Sequence, residues 1–127
     1  MPGFGKLIAF ISTRDAGRAM AFYRDTLGLP LLAEEPSALV FDVHGTMLRV
    51  SIVPEVAAAK YAGLGWQVED IRMTVDALGK RGIRFERFQL PDQDELGVWT
   101  SPGGDRVAWF KDPDGNLLSI SQFVKSV

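Results

Sequence analysis

The sequence predicts an α+β fold in which a β-α-β-β-β unit occurs twice. Three observations predict it: two amphipathic helices with matching starts and ends, extended segments on both sides of each helix, and a hairpin pattern in each half. The halves are residues 1–60 and 61–127, and each is short for an independent core. We therefore expect the two units to form a single domain.

An aspartate starts each predicted helix and a glycine ends it. The first helix runs from the N-cap Asp15 to Gly28, and the second runs from Asp70 to Gly82. Apolar residues recur at helical spacing behind the caps: Ala16, Met20, Tyr23 and Leu27 in the first helix, and Ile71, Val75 and Leu78 in the second. Each stripe predicts a helix that lies over an apolar sheet face.

Each half also contains four predicted strands, of which the last two form a hairpin. The other strands are predicted at residues 6–12, 31–33, 65–68 and 83–88. The hairpins turn at His44-Gly45 and at Asp114-Gly115, and both dipeptides favour two-residue turns. In the first hairpin such a turn pairs residues whose numbers sum to 89. His44, the single histidine, is thereby assigned to a turn rather than to chemistry.

The second unit contains an insertion. The helix caps Asp15 and Asp70 are 55 positions apart, whereas the turn residues His44 and Asp114 are 70 positions apart. The polar segment Gln89–Leu96 is the natural place for the extra residues, and we name it the insertion. It is predicted to be a mobile loop, either a lid over a binding site or a plain surface insertion.

Side chains alternate across a strand, so each sheet has two faces. In the first hairpin, Leu39, Phe41 and Leu48 share an all-apolar face that the helix should cover. In the second hairpin, a two-residue turn would put Trp109 on the covered face and Phe110 on the opposite one. The uncovered, mixed faces then carry Phe10, Ser12, Asp42, Arg49 and Ser51 in the first unit, and Phe110, Ser119 and Ser121 in the second. A mixed face that curls makes a cup suited to a small ligand, and the alternative is a face that is simply hydrated.

Composition excludes several classes of function. With 14 basic and 16 acidic residues, the formal net charge is −2, so no basic surface for nucleic acid is expected. The absence of cysteine excludes disulfides, thiolate catalysis and cysteine-bound zinc. No apolar run reaches the roughly 18 residues of a membrane span, and no signal-peptide pattern is present. We expect a soluble, cytoplasmic protein without a nucleic-acid or membrane partner.

Two sequence stretches carry a family resemblance. AFYRDTLGL lies within Asp15–Leu29, and WFKDPDGNLLS spans Trp109–Ser119. They resemble the glyoxalase/bleomycin resistance protein/extradiol dioxygenase superfamily, also called vicinal oxygen chelate (VOC) proteins, over nearly the whole chain. The resemblance implies a cup-shaped, eight-stranded mixed sheet with one site per cup, usually in a homodimer. It names no activity, because the superfamily includes lyases, dioxygenases, epimerases, transferases and binding proteins.

The resemblance also implies where a divalent metal would be held. Metal-dependent members place histidine and glutamate at strand positions that correspond here to Ile8, Arg49, a residue near Gly63, and Ser119. None of these residue types is a metal ligand of that kind, and the charge of Arg49 opposes a cation. We therefore expect no metal and no other cofactor.

Arg49 is the strongest candidate for ligand binding. Its guanidinium can bind a carboxylate or phosphate through two parallel hydrogen bonds. The alternative, which is compatible with the first, is a structural ion pair with Asp42 on the neighbouring strand. Trp99, beside the insertion, is the tryptophan expected to contact a ligand, whereas Trp109 is assigned to the core. The serines can donate hydrogen bonds, but no base lies beside them, so a serine nucleophile is not expected.

The leading functional hypothesis is a metal-free protein that binds a small molecule, sequestering an anionic or aromatic compound as bleomycin-resistance proteins do. The alternative is a glyoxalase-like lyase or a ring-cleaving dioxygenase that uses a divalent metal. A third hypothesis is a metal-free acid–base catalyst that uses Asp42 or a carboxylate of the insertion, which are Asp92, Asp94 and Glu95.

Overall fold

The computed structural model describes residues 2–125. The chain divides into two compact units, Met1–Ala57 and Ala58–Val127. Within the described residues, each unit has one four-stranded sheet and one helical segment that contacts it. The predicted α+β class and the duplicated β-α-β-β-β unit are therefore confirmed. Every helix within residues 2–125 is too short or too polar to cross a lipid bilayer.

The two sheets have the same strand order. In the first unit the strands are β1 (Ile8–Thr13), β2 (Leu31–Glu34), β3 (Ala38–Val43) and β4 (Thr46–Ile52), arranged β1-β4-β3-β2. In the second they are β5 (Leu64–Gln67), β6 (Trp99–Thr100), β7 (Arg106–Lys111) and β8 (Leu117–Gln122), arranged β5-β8-β7-β6. The first strand of each unit runs parallel to the last, and the other pairs are antiparallel.

An aspartate N-cap starts each helical segment, as the sequence predicts. The carboxylate of Asp15 accepts a hydrogen bond from the backbone N–H of Arg18 at 3.0 Å. The carboxylate of Asp70 accepts one from the backbone N–H of Met73 at 3.1 Å. These bonds satisfy backbone donors that have no partner inside the helix. The segments are α1 (Ala16–Met20), which continues as a π-helix over Ala21–Thr26, and α2 (Ile71–Lys80).

The first helical segment changes from an α-helix to a wider π-helix, whereas the sequence predicts a single α-helix. The backbone N–H of Leu27 donates to the carbonyl of Phe22, five residues earlier, at 2.9 Å, which is the spacing of a π-helix. Tyr23, at the start of the wide turns, is fully buried, and its ring centroid lies 6.1 Å from that of Phe41 in the sheet below. Gly28 then ends the segment with a φ of 76°, as its position predicts.

Arg24 and Asp25 form an exposed ion pair on the π-helical segment. The Nε of Arg24 donates to Asp25 Oδ1 at 2.8 Å. This hydrogen bond lowers the pKa of Asp25 and raises that of Arg24. Both side chains are about half exposed, so the pair adds little to the stability of the fold.

The hairpin of the first unit has the predicted register. Its paired residues sum to 89 throughout, for example Val40 with Arg49. His44 and Gly45 both have positive φ, 49° and 86°, which is the backbone that a two-residue hairpin turn requires. Because the register is as predicted, Leu39, Phe41, Leu48 and Val50 share the covered face, where they are buried.

The register predicted for the second hairpin is wrong by one residue. Trp109 pairs with Ser119 and Phe110 pairs with Leu118, so five residues, 112–116, connect the strands. The carboxylate of Asp112 accepts from the backbone N–H groups of Asp114 and Asn116, both at 2.9 Å. It also accepts from the side-chain amide of Asn116 at 2.8 Å.

A one-residue shift exchanges the two faces of a strand. Phe110 is therefore 1% exposed on the face under α2, together with Ala108, Leu118 and Ile120. Trp109, predicted in the core, lies instead on the mixed face. The predictions for both residues are wrong for the same reason: side-chain hydrogen bonds of Asp112 build a longer turn than the dipeptide Asp114-Gly115 indicates.

The prediction of an edge strand at residues 83–88 is also wrong. Only an isolated bridge joins Phe85 to Phe110, and the backbone N–H of Glu86 donates to the carbonyl of Trp109 at 2.7 Å. The chain then leaves the sheet, and the edge position beside β7 passes to β6, where Trp99 pairs with Val107. The extra residues of the second unit thus interrupt this edge strand.

Candidate functional site

In each unit, the sheet face opposite the helical segment is a candidate binding surface. We name the surface on the first unit the first face, and it carries Phe10, Ser12, Val40, Arg49 and Ser51. We name the surface on the second unit the second face, and it carries Gly65, Trp99, Val107, Trp109, Ser119 and Ser121. The predicted site residues, apart from Phe110, fall on these two faces, and Asp42 lies at the turn end of the first face, where it is paired with Met47.

Arg49 lies at the centre of the first face. It is paired with Phe10 on one side and with Val40 on the other. In the next row, Ser51 lies between Ser12 and Ala38. Phe10 is 63% exposed, although it is a large apolar side chain on a strand. The first face therefore combines a cation, an accessible ring and two hydroxyls.

The ion-pair partner of Arg49 is Glu35, and the predicted pairing with Asp42 is wrong. The Nη2 of Arg49 lies 2.8 Å from Glu35 Oε1, and the two side chains are 26% and 44% exposed. Asp42 instead accepts from the backbone N–H of Gly45 at 3.1 Å, which closes the hairpin turn. Glu35 precedes β3 and therefore has no cross-strand position opposite Arg49. Its negative charge was the one sequence feature that could have indicated it as the partner.

Three aromatic rings form a wall on the second face. The ring centroid of Trp109 lies 6.1 Å from that of Trp99 and 5.3 Å from that of Phe88. Phe88 is 42% exposed, and both tryptophans are half-buried. Sequence reasoning missed Trp109 and Phe88 as members of this surface. A correct register for the second hairpin would have identified Trp109.

Small side chains lie beside the aromatic wall. Trp109 is paired with Ser119, and Ser119 is paired with Gly65 across the parallel strands. A Cβ at Gly65 would lie 2.5 Å from Ser119 Oγ, so the serine occupies the space that a side chain at residue 65 would need. The rings therefore stand beside a glycine and a serine, and an apolar wall next to a hydroxyl is a combination that small-ligand sites use.

The insertion has a defined hydrogen-bonded structure. The carboxylate of Asp94 accepts from the backbone N–H groups of Leu96 and Val98 at 2.9 and 3.0 Å. Its other oxygen lies 2.9 Å from Arg72 Nη1 on α2, and Arg72 also lies 3.4 Å from Glu95. The carboxylate of Asp94, which was considered as a general base, thus holds the loop and is not presented to a ligand. No apolar pattern in the sequence could have indicated these polar contacts.

A groove of about 450 Å³ lies between α2 and the insertion. Its charged lining is mixed, with Lys80, Arg84 and Arg87 opposed by Asp76 and Glu95. Lys80 lies 3.1 Å from Asp76, and Arg87 donates to backbone carbonyls of the insertion. The groove therefore favours neither an anion nor a cation.

A family model that matches most of the sequence identifies the family. The sequence model of the Glyoxalase/Bleomycin resistance protein/Dioxygenase superfamily matches residues 7–120. The chain belongs to this superfamily. The resemblance carried by AFYRDTLGL and WFKDPDGNLLS is thereby confirmed.

The chain is similar to proteins that carry different descriptions. The chain is 30% identical to the uncharacterized protein YraH of Bacillus subtilis (strain 168), over 84% of this chain and 88% of that protein. TnmS3, an antibiotic binding protein from Streptomyces sp. CB03234, is 26% identical, with a TM-score of 0.71 over 96% of this chain and 98% of that one. Lactoylglutathione lyase from Agrobacterium tumefaciens is 22% identical, with a TM-score of 0.67 over 96% of both chains, and shares the fold.

The donor groups of this VOC chain do not fit the metal of its metal-dependent relatives. Of the positions that the resemblance assigns to ligands, Ile8 and the residues around Gly63 offer no donor side chain, Arg49 offers a cation, and Ser119 offers one hydroxyl. The strand neighbours of Arg49 and Ser119 are Phe10 and Gly65, which offer no donor either. Within residues 2–125, no group of three or more His, Cys, Asp or Glu side chains is placed to hold a metal ion.

Proposed function

We propose that this VOC protein binds a small aromatic compound on its second face without a metal, and that Arg49 on the first face binds an anionic group. The observation that carries the proposal is the wall formed by Phe88, Trp99 and Trp109 beside the small residues Gly65 and Ser119. TnmS3, at 26% identity, is an antibiotic binding protein and supports a binding role. Sequestration of a compound, rather than its conversion, is the function that these residues favour.

The chemistry of the second face suits a flat ring. Indole and phenyl rings attract other aromatic rings through offset or edge-to-face contacts, each worth about 0.5–1.5 kcal/mol beyond the buried area. Ser119 and Ser121 add hydroxyls that can donate to or accept from polar groups on the ligand. Neither serine has a histidine beside it within its own unit, because the one histidine of the chain, His44, belongs to the first unit. The face therefore supports binding and offers no activated nucleophile.

The chemistry of the first face suits an anion. The planar guanidinium of Arg49 matches the geometry of a carboxylate or phosphate. Its present partner Glu35 is 44% exposed, and exposed ion pairs contribute only about 0–1 kcal/mol. A ligand carboxylate can therefore displace Glu35 at little cost. Ser51 lies in the adjacent row, and its hydroxyl can donate a further hydrogen bond.

Replacing Trp109 or Arg49 should separate aromatic from anionic recognition. We expect Trp109→Ala to weaken binding of the neutral probe 2-naphthol, because its ring needs the wall of the second face. We expect Arg49→Gln to weaken 2-naphthoate alone, by about 10-fold or more, which corresponds to the loss of one charge-assisted hydrogen bond of about 1.5–3 kcal/mol. Isothermal titration calorimetry measures both affinities.

The matched control is Trp66→Phe, a tryptophan on the covered side of the same sheet, where it pairs with Ile120. This variant should bind both probes as the unmodified protein does. Failure of the unmodified protein to bind either probe would contradict the proposed function. Equal loss of 2-naphthol binding in Trp66→Phe and Trp109→Ala would contradict the assignment to the second face.

Divalent metals should not stabilise the protein. Because the candidate ligand positions carry isoleucine, arginine, glycine and serine, Zn²⁺, Mn²⁺, Ni²⁺ and Mg²⁺ are expected to leave the melting temperature unchanged. A ligand that binds only the folded state at 100 times its Kd would add about 2.7 kcal/mol, an effect easily seen by differential scanning fluorimetry. One tightly held ion per chain, found by elemental analysis and raising the melting temperature, would favour a metal-dependent lyase or dioxygenase instead.

Two further expectations are part of this proposal. A homodimer stays a prediction, one that the resemblance to the superfamily implies. A cytoplasmic location stays a prediction from the sequence.

A further inference from the structure

The edge strand of the second unit is interrupted beside the aromatic wall. On one side of the gap, the backbone N–H of Glu86 bonds to Trp109. On the other side, Trp99 of β6 pairs with Val107 of β7. Phe88 follows the first of these anchors, and Trp99 is the second, so two of the three wall residues belong to the ends of the gap.

The side chain of Gln93 joins the two ends. Its Nε2 donates to the carbonyl of Glu86 at 2.8 Å and to the carbonyl of Gly97 at 2.9 Å. Its Oε1 accepts from the backbone N–H of Phe88 at 3.0 Å. One amide group thus satisfies three backbone groups from both sides of the interruption.

The backbone around Gln93 completes the connection to Trp99. Gln93 and Trp99 form an antiparallel bridge. Gly97 has a φ of +87°, and a Cβ there would lie 3.1 Å from the Cβ of Phe85. Only glycine adopts this backbone readily, and it turns the carbonyl of residue 97 to the amide of Gln93.

We propose that Gln93 is a positioning residue of the second face: its amide holds Phe88 and Trp99 against Trp109 and so sets which ring systems the face accepts. The inference rests on the proposed function where it concerns the ligand, but not where it concerns the rings. Two donors and one acceptor are needed at this position. Glutamate supplies acceptors alone, which would oppose the carbonyls of Glu86 and Gly97, and methionine keeps the volume without the amide.

The ring arrangement can be measured without a ligand. The ring centroids of Trp99 and Trp109 are 6.1 Å apart, which is close enough for exciton coupling in circular dichroism. The variant Trp99→Phe lacks the tryptophan pair and therefore gives the reference spectrum without this coupling. We expect Gln93→Glu to reduce this exciton couplet to the level of the Trp99→Phe variant. The helical circular dichroism signal and the cooperative unfolding transition should be kept. Gln93→Met should also lose the couplet, and it replaces Gln93→Glu in the test if the added carboxylate prevents folding. The matched control is Gln89→Asn, an exposed amide in the same insertion, which should keep the couplet.

Probe binding then separates this inference from the proposed function. Calorimetric titrations of 2-naphthol and 1-hydroxypyrene give the preference of the unmodified protein for one ring size, and both Gln93 variants should lose that preference. An unchanged couplet in folded Gln93→Glu and Gln93→Met would overturn the positioning role, even if the unmodified protein binds the probes. Absence of probe binding by the unmodified protein, with the couplet lost in the variants, would overturn the proposed function and leave the positioning of the rings supported.

Discussion

Phe110→Ala is expected to lower the free energy of unfolding by about 3–5 kcal/mol, the usual cost of removing a large ring from a core. Phe110 is 1% exposed, and its ring centroid lies 5.6 Å from that of Phe85. The cavity left under α2 cannot close without moving both the helix and the sheet. Urea denaturation followed by circular dichroism measures the change.

The neighbouring residue provides the matched comparison. Trp109→Ala removes a larger side chain, but one that is half-buried on the opposite face, so it should cost less stability than Phe110→Ala. It should instead reduce binding of the aromatic probes. The reverse ranking of the two stabilities would contradict the register that pairs Phe110 with Leu118.

Asp112→Ala is expected to lower the free energy of unfolding by about 2–4 kcal/mol. Asp112 is 6% exposed, and its carboxylate accepts the backbone N–H groups of Asp114 and Asn116. A buried donor left without a partner costs about 1–3 kcal/mol, and these two part-buried N–H groups would both lose their partner. Thermal and urea unfolding measure the loss.

Asp112→Asn is the control for this prediction. An asparagine retains one oxygen that can accept from both backbone N–H groups, but it cannot accept the side-chain amide of Asn116 with its second atom. It should therefore cost clearly less than Asp112→Ala. Equal losses for the two variants would show that the carboxylate does not build the turn through its contacts to the backbone.

The two hairpins show where sequence patterns suffice. In the first, His44 and Gly45 adopt the left-handed backbone themselves, so the turn dipeptide alone predicts the register and every cross-strand pair. In the second, the turn contains Asp114-Gly115, but its length depends on a side chain two positions earlier. Hydrogen bonds of Asp112 compete with the tight turn and win, which moves Phe110 to the core and Trp109 to the candidate site.

The candidate site was predicted in part. Arg49, Phe10 and the serines lie on the mixed faces because strand alternation determines which way they point. The partner of Arg49 was missed, since Glu35 lies before β3, outside the strand pairs from which partners can be counted. Gln93 was missed because a polar segment without periodicity carries no signal for the bonds that its side chains make.

The sequence by itself determined the duplicated unit, both helix caps, the family and the residues at the positions of a metal site, because each depends on short-range spacing along the chain. The tertiary structure decided which aromatic rings form the wall of the second face and which groups hold them. Those choices depend on polar side chains that bond to backbone groups several residues away, and the energy of such a bond depends on distance in space rather than on distance in sequence.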